Sequence, residues 1–153
     1  LSAQKKAISK VEPGNYFDAP HKAAIEEIVD GLIDLKIFKV SRDEVISKEL
    51  YKEFFMHRTS HWLGLDVHDS GIYLDEPLEG GVLKPIKFEN SNVLTIEPGC
   101  YIKPDSSAPK EFWGIGIRVE DDVLVTPSGN KVLSNNAPKE IKDLESIIGS
   151  LNE

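Results

Sequence analysis

Apolar residues recur at helical spacing in the first third of the chain and at strand spacing after it. Residues 1–11 (LSAQKKAISKV) carry Ala3, Ala7, Ile8 and Val11 three to four positions apart, which predicts a helix. Glu12-Pro13-Gly14-Asn15 breaks it. Asp18-Ala19-Pro20 reads as the next helix start, with Asp18 as cap and Pro20 in the first turn. From there Ala24, Ile25, Ile28, Val29, Leu32 and Ile33 extend an apolar stripe to about Leu35. Ser41-Arg42-Asp43-Glu44 fits a capping box that opens a third, shorter helix towards Tyr51.

Beyond that point short β-branched runs alternate with Gly, Pro, Asn and Asp. The best strands are 93–97 (VLTIE), 100–103 (CYIK), 115–120 (IGIRVE) and 123–126 (VLVT). Asp121-Asp122 predicts a tight hairpin turn between the last two. Period-two alternation groups Val93, Thr95 and Glu97 on one face and Leu94 and Ile96 on the other. It likewise makes Ile115, Ile117 and Val119 the core-covering face of their strand, leaving Gly116, Arg118 and Glu120 on the polar face. Residues 73–92 form the longest expected loop. Residues 138–151 close the chain as a helix with Ile141, Leu144, Ile147, Ile148 and Leu151 on one side. With no repeat and no linker to divide it, the pattern predicts a single α+β unit.

Composition narrows the class. The 153 residues are 40% hydrophobic and 29% charged, too apolar for wholesale disorder. No apolar run approaches the ~20 residues of a membrane helix, so no membrane partner is expected. The net charge of -8 and the lack of a basic stripe argue against nucleic acid. A single cysteine, Cys100, excludes an internal disulfide and a Cys-rich zinc module, and points to a reducing, cytoplasmic compartment. The start at Leu1, directly in a helical pattern, suggests a processed product or a piece of something longer.

Three of the four histidines fall in one short window, at His57, His61 and His68, with Asp66 and Asp69 among them. Imidazole titrates near neutrality and is the commonest neutral metal ligand, so the window is a site candidate. A zinc-protease helix would need Glu at position 58, where Arg58 stands, so that pattern fails. Glu97 ends a strand beside the turn at Pro98-Gly99, well placed to ligate a cation, although taken alone it reads first as an ordinary surface carboxylate. Arg118 and Glu120 share a strand face, where Arg118 is either a surface partner or a group that orients a carboxylate ligand. His61, Glu97 and Glu120 thus offer one nitrogen and two carboxylates from three segments, suited to Mn, Fe, Co or Zn more than Cu. Spacing alone leaves this metal site incomplete.

Residues 54–69 (FFMHRTSHWLGLDVHD) closely resemble the central motif of bacterial aminopeptidase P, the Xaa-Pro aminopeptidase. Residues 93–101 (VLTIEPGCY) and 114–122 (GIGIRVEDD) resemble its two later motifs in the right order, and the opening and closing helices are also similar. The resemblance implies that residues 1–153 are the C-terminal part of a pita-bread metallopeptidase catalytic domain, with helices packed on a curved antiparallel sheet. It implies two divalent metal ions, usually Mn, and a peptide substrate with proline at the second position. It makes His61, Glu97 and Glu120 metal ligands, with Glu120 bridging and Glu97 also a proton shuttle. His57 and His68 become substrate-facing catalytic groups, with Arg118 and Tyr101 supporting them. Two further aspartate ligands would come from strands ahead of residue 1, so the 153 residues alone are expected to be inactive and self-associating, as a homo-oligomer. Arg58 replaces a commonly small residue at the site entrance. Two rival expectations are a non-catalytic remnant of the fold and a prolidase-like Xaa-Pro dipeptidase.

Overall fold

The computed structural model describes residues 1–75 and 81–148. The first third is helical, as the apolar stripes predict: α1 (Ser2–Ile8), α2 (Ala19–Asp34) and α3 (Arg42–Ser47), then a 3-10 turn at Leu50–Glu53. Ser41 caps α3 by accepting from Glu44 N, the geometry expected of its capping sequence. Asp18 does not cap α2 with its side chain. Its own backbone is already helical, and its carboxylate turns to Lys22 Nζ, 2.7 Å away.

The later part contains three antiparallel pieces. The main sheet has the order β3 (Val93–Ile96), β6 (Asp121–Thr126), β7 (Gly129–Val132). A ribbon pairs β4 (Gly99–Tyr101) with β5 (Gly116–Arg118), and a short one pairs β1 (Leu74–Asp75) with β2 (Lys84–Pro85). Hence the predicted loop 73–92 is partly strand, and it is tied back through Tyr16 and Lys87 and through buried Phe88; its residues 76–80 lie outside the described residues.

Two expectations are corrected. Asp121-Asp122 is not a hairpin turn: both residues belong to β6, with Ile96 opposite Asp121 and Thr95 opposite Asp122. The strand at Gly116–Arg118 pairs instead with β4, so the chain passes from one sheet to another where a turn was expected. Nor do Ile115 and Ile117 cover a core; they are 43% and 59% exposed. Alternation shows which side chains share a face, not whether another layer lies over it.

The core lies where α1 and α2 pack on the main sheet. Ala7 and Val11 meet Ala24, Ile25 and Val29, and all face Leu94, Ile96, Val123 and Val125. Leu94 opposes Val123 in the register, so β3 and β6 present one continuous apolar face. A second cluster of Leu32, Ile37, Phe54, Ile102 and Ala108 anchors the end of α2 to the segment following β4. The final helix, α4 (Ile141–Ile148), leaves Ile141, Leu144 and Ile148 exposed, and Leu151 lies outside the described residues.

Candidate metal centre

The window from His57 to His68 is not helical. Its first part runs along the free edge of β3 instead. Glu97 N donates to Thr59 O at 2.8 Å, Thr95 N to His61 O at 3.0 Å, and Leu63 N to Val93 O at 3.1 Å. Trp62 and Leu94 form an antiparallel bridge within this run. On the opposite edge of β3, continuing its register with β6 by one residue brings Glu120 opposite Glu97. On the first edge His61 pairs with Thr95 and reaches Glu97 diagonally, and on the other edge Glu120 stands opposite Glu97. Sheet pairing gathers residues that are 36 and 23 positions apart.

Ligand-capable atoms of His61, Glu97 and Glu120 all lie within 4.8 Å of one another. His61 Nε2 is 3.0 Å from Glu97 Oε1. His61 Nδ1 lies 2.9 Å from Trp62 O, so that ring nitrogen donates and the Nε2 lone pair turns towards the carboxylates. Three electron-pair donors thus converge on one another, a donor set that fits a divalent cation. Burial raises the Glu120 carboxyl above the usual carboxylate range, and the neighbouring Glu97 adds to the rise.

A polar chain supports Glu97. Thr95 Oγ1 donates to Glu97 Oε1 at 3.1 Å, and Arg118 Nη1 stands 3.5 Å from Oε2. Arg118 Nε donates to Tyr101 Oη at 2.7 Å, and Tyr101 Oη lies 3.0 Å from His57 Nε2. His57 Nδ1 donates to Arg58 O at 2.7 Å, so the tyrosine hydroxyl is left to donate to Nε2. Register explains the cluster, since Gly99 faces Arg118 and Tyr101 faces Gly116 across the ribbon. A Cβ on Gly116 would stand 3.3 Å from Tyr101 Cδ1, so the glycine makes room for the ring.

His68 is exposed and crosses the His61 ring edge-on, with 4.3 Å between centroids. Asp66 and Asp69 stay out of the donor group; Asp69 Oδ1 instead accepts from Ser70 N in a local turn. Beside the group opens a cavity of about 820 Å³, lined among others by His57, Arg58, His61, Glu97 and Arg118.

His21 also lines this cavity, although no sequence motif marks it. Its Nδ1 is 2.8 Å from Thr59 Oγ1, and Thr59 holds Glu97 through the backbone. Burial pushes the His21 pKa down to about 4, with the positive charge of Arg58 adding to the effect. A lone histidine one turn into an amphipathic helix carries no signal by spacing. Only its place right after Pro20, on the edge of the apolar stripe, could have drawn attention to it.

The profile of metallopeptidase family M24 matches residues 1–127. An Xaa-Pro aminopeptidase of Haemophilus influenzae is 43% identical over 148 residues, which are 97% of this chain and 33% of that protein. Among solved structures, an aminopeptidase of Pseudomonas aeruginosa superposes with a TM-score of 0.90 at 39% identity, covering 98% of this chain and 33% of that one. Zinc-substituted aminopeptidase P of Escherichia coli in complex with product superposes with a TM-score of 0.89 at 35% identity, covering all of this chain and 33% of that one. The chain spans about one third of the length of the relatives it matches. Its α+β architecture is that of the aminopeptidase P pita-bread fold. With the family match, the superposition and a donor group of one histidine and two glutamates in agreement, this chain belongs to metallopeptidase family M24.

Proposed function

We propose that the whole protein carrying this chain is a metal-dependent aminopeptidase that releases the N-terminal residue from peptides with proline second. Residues 1–153 are then the C-terminal portion of its catalytic domain. The observation that carries this reading is the convergence of His61, Glu97 and Glu120 beside a cavity that also displays His57. In the whole protein these three residues would supply part of the ligand set for two divalent ions, Mn by preference for an oxygen-rich donor set, and two aspartates from elsewhere in that protein would complete it. When bound, such ions supply Lewis acidity and bring the pKa of a water towards neutrality.

The chain's own residues do the rest. Glu97 takes a proton from the attacking water and delivers it to the departing proline nitrogen as the C–N bond breaks. Arg118 offsets the charge on Glu97 Oε2 and fixes Tyr101. Tyr101 in turn sets the ring of His57. His57, on the cavity wall, and His68, beside His61, steady the scissile amide and the tetrahedral intermediate. The partner is a peptide rather than nucleic acid or membrane, and no described helix is long and apolar enough to cross a bilayer. A homo-oligomer in the cytoplasm completes the proposal.

The test is hydrolysis by the whole protein with added Mn of Xaa-Pro-Xaa peptides against matched Xaa-Ala-Xaa peptides. Release of the first residue only from the proline series, abolished by His61→Ala, is the expected result. Cleavage confined to dipeptides would move the assignment to a prolidase-like enzyme. No turnover in either series would overturn it.

A further inference from the structure

Two guanidinium groups line the cavity beside the donor group. Arg118 is committed, to Glu97 on one side and to Tyr101 on the other. Arg58 is not: its side chain is exposed and makes no hydrogen bond or ion pair to any other described residue. Its backbone, by contrast, is fixed. Arg58 O accepts from His57 Nδ1 at 2.7 Å, and the next carbonyl, of Thr59, accepts from Glu97 N at 2.8 Å. The start of the side chain is therefore anchored next to His57 on the cavity wall, while its charged head is held by no described residue.

The other charges on the wall are accounted for. Asp18 is paired with Lys22, Glu97 sits between His61 and Arg118, and His21 is held neutral in part by Arg58 itself. Among the described residues that line the cavity, Arg58 is thus the permanent cation without a partner, in a chain with net charge -8. A guanidinium presents a rigid fork that matches a carboxylate in a bidentate pair, and it cannot be neutralised by deprotonation.

We propose that Arg58 binds a carboxylate on the portion of the peptide beyond the scissile bond. The inference rests on the aminopeptidase reading and adds a substrate class to it. The N-terminal end of such a substrate carries an ammonium, which a guanidinium repels, so Arg58 faces the other end. A tripeptide spans at most about 11 Å when extended, which suits a cavity of about 820 Å³. The anion is either the C-terminal carboxylate or an acidic side chain following the proline; both offer the same fork of oxygens.

Steady-state kinetics on the metal-loaded whole protein distinguishes these sources. The substrates are a Xaa-Pro-Ala acid, its C-terminal amide, and the Xaa-Pro-Glu amide. The acid is expected to exceed the amide about tenfold in kcat/KM at low salt, expressed in KM, with the advantage shrinking as salt is added. Arg58→Gln should bring the acid-to-amide ratio towards one, and Arg58→Lys should keep part of it. An advantage of the Glu amide over the Ala amide that vanishes in Arg58→Gln assigns the side-chain source. A ratio unchanged in Arg58→Gln, or a ratio of one in the unaltered protein for both anions, overturns the inference while leaving Xaa-Pro cleavage intact. If Xaa-Pro peptides are not cleaved at all, the function fails first; calorimetric binding of the same acid and amide then decides the role of Arg58 separately.

Discussion

Gln4 Nε2 donates a 2.7 Å hydrogen bond to Asp121 Oδ2, joining helix α1 to strand β6 across 117 residues. Asp121 shares the inner face of β6 with Val123 and Val125 and is only 1% exposed, so its charge sits at the rim of the core. Ser134 Oγ at 2.6 Å and Lys139 Nζ at 3.0 Å supply the remaining donors. Glu120 is the preceding residue, so this knot also fixes where β6 begins beside the donor group.

Asp121→Ala should therefore cost about 3–5 kcal/mol, because it strands the buried amide of Gln4 and the half-covered ammonium of Lys139. Asp121→Asn keeps the shape and should cost about 1–3 kcal/mol. Urea unfolding midpoints at pH 7 check this. A loss below about 0.5 kcal/mol for the alanine variant would mean the knot contributes no more than a surface contact.

His21 predicts a pH dependence. Its pKa falls from 6.5 to about 4 on folding, so the unfolded chain binds more protons between those values. The stability gained from keeping it neutral is fully present above about pH 6.5 and is lost as pH falls towards 4. The gap is worth at most about 3 kcal/mol. Unfolding free energies measured at pH 7, 5.5 and 4 should decline less steeply in His21→Gln than in the parent. Parallel declines would show that His21 is not buried neutral.

The difference between what the sequence disclosed and what it hid follows from range. Ser41 capping Glu44, the stripe along α2 and the alternation in 93–97 are local, so their periods and spacings sufficed. His61, Glu97 and Glu120 were legible because each stands in a dense motif, although what unites them is pairing on both edges of β3. Asp121 reads locally as a turn residue because an Asp-Asp pair has turn chemistry, while its strand conformation is enforced by partners as distant as Gln4. Tertiary partners override local propensity there. His21 carries no local signal for the same reason: its partner, Thr59, lies 38 residues on. Ile115 and Ile117 have the pattern of a buried face, but pattern carries no information about what covers them.

Gly99 should tolerate no side chain. A Cβ there would stand 2.7 Å from Tyr101 Cζ and closer still to the hydroxyl, so the ring must move. Moving it breaks the link from Arg118 Nε through Tyr101 Oη to His57 Nε2. In the whole protein Gly99→Ala is expected to lower kcat/KM for Xaa-Pro peptides by about tenfold or more, as Tyr101→Phe should by removing the hydroxyl alone. Because both act through one hydroxyl, the double variant should be little worse than either single one. Additive losses would show that Gly99 acts elsewhere.

Metal binding offers the most direct check on the donor group. A cation held by the folded state and not by the unfolded one stabilises by about 2.7 kcal/mol at a hundred times its Kd. Mn should therefore raise the thermal midpoint of the whole protein, and a chelator should reverse the rise. Glu120→Gln keeps the size of the side chain while removing its charge, and His61→Ala removes the ring nitrogen. Each is expected to weaken Mn binding by about a hundredfold in calorimetric titration, near 2.7 kcal/mol. Asp69→Asn is the control, since Asp69 Oδ1 is engaged with Ser70 N and lies outside the donor group; it should bind Mn as the parent does. Equal weakening by all three would reduce the effect to general negative charge, and unaltered binding in Glu120→Gln would remove Glu120 from the ligand set.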